Sequence, residues 1–110
     1  MTEKYNKSFY VAGVKFRKGW KENIARLEEG QTLNLVPDPS NRFDPDAIII
    51  SGSEKGETDI MILGFVPAKT GEAKEVAALL RRGIELKATL LELSADFEPW
   101  KALLVEIEEV

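Results

Sequence analysis

A chain of 110 residues, 44% hydrophobic and 31% charged, fits one ordered domain spanning 1–110 with a core of modest size. It contains neither cysteine nor histidine, which excludes zinc sites of the usual kind, a thiol nucleophile and any His-based acid–base pair. The net charge of −4 argues against an indiscriminate phosphate binder, and no apolar run approaches the roughly 20 residues needed to span a bilayer.

The charge is unevenly spread. Residues 1–30 hold seven basic against four acidic side chains, and residues 84–110 hold two basic against seven acidic. A local basic face is therefore compatible with an acidic whole. Residues 1–7 are polar and lack the apolar core of a signal peptide. The expectation is a soluble, cytoplasmic protein.

In chain order, residues 8–16 read as a first strand. Tyr10, Ala12, Val14 and Phe16 alternate with Phe9, Val11, Gly13 and Lys15. Gly13 removes a side chain in mid-strand, which marks a bend or the close approach of another group. Trp20, Ile24 and Leu27 then fall at helical spacing, with Trp20 as the anchor of a short helix and Gly30 as its terminator. Residues 31–37 and 47–51 read as the second and third strands. Residues 52–58 form a polar hairpin tip, and 60–66 a fourth strand that ends at Pro67. Residues 72–82 show the apolar stripe Ala73, Val76, Ala77 and Leu80 of a second helix, which Gly83 stops. Strands at 84–93 and 100–107 follow, with Trp100 placed in the core at the rim and a turn over 94–99. Six short strands and two short helices close most economically into an antiparallel barrel, which removes exposed sheet edges.

The loop from Val36 to the third strand carries the most chemistry. Pro37, Pro39 and Pro45 stiffen it. Between them lie Ser40, Asn41, Arg42, Phe43 and Asp44. A rigid loop bearing a ring, a cation and a carboxylate suits a ligand with a flat base and hydroxyl or phosphate groups. Each side chain also has a structural reading. Phe43 could plug a barrel end, Asp44 could bond its own backbone two residues on, and Asn41 could cap the turn. Lys15, Arg17, Lys18, Lys21 and Arg42 form either a phosphate track or ordinary solvated surface. Asp38, Asp44 and Asp46 are oxygen donors of the type a hard cation takes, but the prolines make a shared geometry awkward, so no metal or other cofactor is expected. No pair of carboxylates is spaced for acid–base work and no Gly-rich phosphate loop is present, so no enzyme activity is expected.

Taken in order, Tyr10-Val11-Ala12-Gly13-Val14, Leu27-x-x-Gly30-x-x-Leu33-x-Leu35, the block Asn41-x-Phe43-Asp44-x-x-Ala47-Ile48 and Leu63-Gly64-Phe65-Val66-Pro67 resemble the HIRAN domain over about residues 8–108. That domain occurs at the N-terminus of some SWI2/SNF2-type DNA-remodelling ATPases and as stand-alone bacterial proteins. The resemblance implies a mainly β, OB-like six-stranded antiparallel barrel that binds the 3′ end of single-stranded DNA. It implies that Tyr10 and Phe43 stack on bases, Phe43 standing where tyrosine is usual, and that Asp44 accepts a hydrogen bond from the terminal 3′-hydroxyl. Ser40 and Asn41 take the polar loop contacts, with Arg42 beside them. Phe65 follows the glycine where tyrosine or histidine is common, and Lys69 lies next to a position that can be basic. A role in DNA repair, with a separate helicase or repair protein as partner, belongs to the same expectation. The alternative is a non-catalytic protein–protein adaptor that keeps the fold and has lost DNA binding, which the acidic C-terminal strand favours.

Overall fold

The structure, a computed structural model, describes residues 3–110. It contains strands β1 (Asn6–Tyr10), β2 (Thr32–Pro37), β3 (Ile48–Gly52), β4 (Met61–Phe65), β5 (Leu86–Leu93) and β6 (Leu103–Glu109), with helices α1 (Trp20–Ala25) and α2 (Glu72–Arg81). The strands form one sheet in the order β1-β6-β5-β2-β3-β4, and every neighbouring pair is antiparallel. β1 and β4 are the outer strands. Just past β1, Ala12 pairs with Phe65 at the end of β4. The Ala12 N–H donates to the Phe65 carbonyl at 2.9 Å, and the Phe65 N–H donates to the Ala12 carbonyl at 2.8 Å. The sheet is thus a curled half-barrel whose two edges meet at one bridge, the mainly β, OB-like architecture expected.

Gly64 makes that meeting possible. A Cβ at this position would overlap the Ala12 carbonyl oxygen and lie 2.7 Å from Val11 Cγ1. Beside it the β3–β4 register slips, so that Ile50 faces Gly64 while Ser51 faces Ile62. This irregularity lets β4 bend toward β1. The interior is filled by period-two apolar positions, Leu103, Val105 and Ile107 on β6, Ala88 and Leu90 on β5, and Ile48 and Ile50 on β3. Ala73, Val76 and Ala77 of α2 are buried in the same core, and Trp20 packs half-buried against it.

Three elements differ from the sequence reading. The first strand stops at Tyr10 rather than 16, because Gly13 takes φ 74° and turns the chain into a single 3-10 turn at Val14–Phe16. α1 ends at Ala25, although Leu27 is still buried beyond it. Trp100 is in a second 3-10 turn, Pro99–Lys101, not in a strand. Pro99 starts that turn, which directs Ala102 and Leu103 into the core and leaves Trp100 60% exposed.

Candidate nucleic-acid interface

The loop that joins β2 to β3 is built by its own polar side chains. The Asn41 side-chain oxygen Oδ1 accepts the N–H groups of Phe43 at 2.9 Å and Asp44 at 3.1 Å. The Asn41 amide donates to Asp38 Oδ2 at 3.2 Å, and the Ser40 hydroxyl donates to Asp38 Oδ1 at 3.4 Å. Asp44 Oδ1 accepts the Asp46 N–H at 2.8 Å, a turn that spans Pro45. The Asp38 N–H donates to the Ala47 carbonyl at 2.9 Å, which closes the base of the loop. Asp46 faces away and pairs with Arg81 of α2, Oδ1 to Nη2 at 2.8 Å. The three aspartate carboxylates therefore share no partner, and no group of three potential metal-ligating side chains exists among the described residues.

This scaffold presents Phe43 to solvent with 96% of its surface exposed. The ring does not plug the barrel. Asp44 is half-buried, and its second oxygen, Oδ2, has no hydrogen-bond partner among the described residues. The turn chemistry read from the sequence is present, and it occupies one carboxylate oxygen while leaving the other open.

Asn41, Phe43 and Asp44 form one wall of a pocket of about 420 Å³ whose other lining residues are Ala47, Phe65, Val66 and Ala68. That volume falls within the roughly 300–1,000 Å³ of small-ligand sites. Two of these lining residues are held by the backbone: Phe65 makes the bridge to Ala12, and the Val66 N–H donates to the Ile48 carbonyl at 3.0 Å. Of the eight residues singled out in the sequence, the pocket gathers Asn41, Phe43, Asp44 and Phe65. Ser40 and Arg42 are exposed on the same loop, and Lys69 is exposed one residue past the lining Ala68. Neither Arg42 nor Lys69 forms an ion pair among the described residues. Tyr10 does not line the pocket. It is 41% exposed on the outer face of β1, two residues before the Ala12–Phe65 bridge.

Two contributors escaped the sequence reading, and a third was read only in part. The part played by Gly64 is visible only once Ala12 is known to lie against it. The Asp46–Arg81 pair joins positions 35 apart that no local pattern connects. The missing side chain of Gly13 faces the Phe65 ring, and a Cβ there would be 3.6 Å from Phe65 Cδ2. The sequence did mark Gly13 as a point of close approach, without naming the neighbour.

Comparison with known proteins places this geometry. A crystal structure of a protein from Lactobacillus plantarum, a structural-genomics target, superposes with a TM-score of 0.75 at 15% identity and covers 97% of each chain. The crystal structure of the HIRAN domain of human HLTF superposes with a TM-score of 0.66 at 14% identity, covering 94% of this chain and 74% of the other. At such identities these likenesses establish the fold. No curated protein matches the chain. The HIRAN domain family pattern matches residues 5–107, nearly the whole length, and the chain therefore belongs to the HIRAN domain family.

Proposed function

We propose that this domain binds the free 3′ end of single-stranded DNA and catalyses no reaction itself. The observation that carries the reading is the exposed Phe43 ring beside the unpartnered Oδ2 of Asp44, both on one stiff loop at the mouth of a pocket. A solvent-facing ring has no packing role in the monomer, whereas base stacking on an aromatic contributes about 1–3 kcal/mol.

In this reading the terminal base stacks on Phe43, with Phe65 forming the inner wall and Tyr10 supplying a second face from β1. The terminal 3′-hydroxyl donates to Asp44 Oδ2. Asn41 and Ser40 hold the loop in shape through Asp38, and Arg42 and Lys69 take the nearest backbone phosphates as charge-assisted partners. A free end is required because an internal nucleotide has no 3′-hydroxyl to donate. A 3′-phosphate would bring two anions together and be rejected. Such a module serves a separate helicase or repair protein, which supplies the motor activity.

The test is a low-salt anisotropy titration with a 5′-labelled linear oligonucleotide, competed by the same sequence unlabelled in linear or circularised form. The linear competitor is expected to displace the probe and the circle to fail. Equal competition by both would remove end recognition, and no binding of the linear probe would remove the nucleic-acid reading altogether.

A further inference from the structure

A second aromatic surface adjoins the pocket. Phe16 is 78% exposed and Trp100 60% exposed, each on its own 3-10 turn. With Gly13, Val14, Lys15 and Pro99 they line a cleft of about 170 Å³. Two large rings held open to water in one cleft of a small domain mark a contact surface. The cleft neighbours the Phe43 pocket: Gly13 lines the cleft, Phe65 lines the pocket, and a Cβ on Gly13 would lie 3.6 Å from Phe65 Cδ2.

The charge around the rings identifies the occupant. Lys15 Nζ lies 5.1 Å from the centroid of the Phe16 ring, Lys101 follows Trp100, and Lys18 is exposed just beyond the Phe16 turn. None of the three forms an ion pair among the described residues. Asp96 and Glu98 share the turn with Trp100, so this surface is not a uniformly basic patch for duplex backbone. Flat rings interleaved with free lysines suit unpaired bases joined by phosphates.

We infer that Phe16 and Trp100 form a second base-stacking subsite that takes a nucleotide upstream of the three at the 3′ end. The inference rests on the 3′-end reading of the Phe43–Asp44 pocket. With the terminus held there, the strand runs in the 5′ direction past Phe65 and Gly13 onto the Phe16–Trp100 cleft. A peptide in this cleft is the competing occupant.

The experiment uses 5′-labelled thymidine oligonucleotides of three and eight residues, each with a 3′-hydroxyl. They are titrated against wild type, Phe16→Ala/Trp100→Ala and Phe43→Ala. Both rings that the double variant removes are exposed in wild type, and an unchanged melting temperature confirms its fold. The double variant is expected to bind the 8-mer about tenfold or more weakly and the 3-mer as wild type does, whereas Phe43→Ala weakens both. An 8-mer affinity within about twofold of wild type in the double variant overturns the second subsite and leaves the 3′-end reading intact. Failure of wild type to bind either oligonucleotide overturns both. A second readout is direct. In Trp20→Phe protein, Trp100 is the sole tryptophan, and its emission is expected to be quenched by the 8-mer. Unchanged emission at saturating 8-mer contradicts the stacking.

Discussion

Phe43 and Asp44 divide the work of the loop in a way that single residues make testable. Because the Phe43 ring is almost fully exposed, Phe43→Ala should leave the melting temperature unchanged while weakening binding of a 3′-hydroxyl oligonucleotide by about tenfold to a hundredfold. Differential scanning fluorimetry and anisotropy on the same protein check the two halves separately. A stability loss with unchanged affinity would return Phe43 to a structural role. Asp44 has room for both readings that the sequence left open. One oxygen shapes the turn, and the other is free for a hydroxyl donor. A sequence shows that an aspartate precedes a proline, but not which of its two oxygens the backbone uses.

Tyr5 shows a different single-residue effect, remote from the pocket. Its hydroxyl is buried without a hydrogen-bond partner among the described residues. Burial first, and then the charges of Glu75 and Glu72, push its pKa up to about 12 from 10.0. Below pH 10 the phenol is neutral in both folded and unfolded chains, so its contribution is fully present. Between about pH 10 and 12 only the unfolded chain loses the proton, and stability falls as pH rises. Denaturant titrations at pH 9 and pH 11 should show a steeper loss for wild type than for Tyr5→Phe. Parallel losses in the two proteins would contradict the assignment.

At the scale of elements, the closing bridge is the critical contact. β4 reaches Ala12 because Gly64 has no side chain and the adjacent irregularity bends the strand. Gly64→Ala should therefore cost about 1–3 kcal/mol through overpacking, a drop of roughly 4–8 °C in melting temperature per kcal/mol. It should also weaken DNA binding, since Phe65 both closes the barrel and lines the pocket. A variant as stable as wild type would show that the sheet does not depend on that approach.

The same elements show what the sequence could convey. The strands from β2 to β6 and both helices were legible because alternation and helical spacing are local patterns, and the loop was legible because prolines and an Asn-x-Phe-Asp block constrain it. Residues 8–16 misled because a strand followed by a left-handed glycine and a 3-10 turn keeps the same apolar alternation as a longer strand. Trp100 misled because a tryptophan ahead of a strand gives no sign of which way it points. Exposure at Phe16 and Trp100 arises from how two distant turns meet, which no local pattern encodes.

At the scale of the whole molecule, the proposed DNA binding has to be reconciled with a net charge of −4. What bears on the proposal is which cations are already engaged. Lys7 pairs with Glu75 and Arg26 with Glu54. Lys15, Lys18, Arg42, Lys69 and Lys101 form no ion pair among the described residues. Arg42 and Lys69 border the pocket, and the lysines border the Phe16–Trp100 cleft. Binding through stacking and one terminal hydroxyl, with about five phosphate contacts at most, predicts a moderate salt dependence. The logarithm of the affinity should fall with the logarithm of salt concentration at a slope no steeper than about −3.5. A much steeper slope would mean that phosphate attraction dominates and that the end is not what is recognised.

The most direct test of end recognition is the ratio of affinities for a 3′-hydroxyl and a 3′-phosphate form of one oligonucleotide, measured in wild type and in Asp44→Asn. The asparagine keeps a side-chain oxygen for the Asp46 N–H and removes the charge. Wild type should prefer the hydroxyl by about tenfold or more, as expected when a hydrogen bond to a charged group is exchanged for charge repulsion. The preference should collapse toward unity in Asp44→Asn. Equal affinity of wild type for both ends would contradict the account, however tightly the oligonucleotide bound.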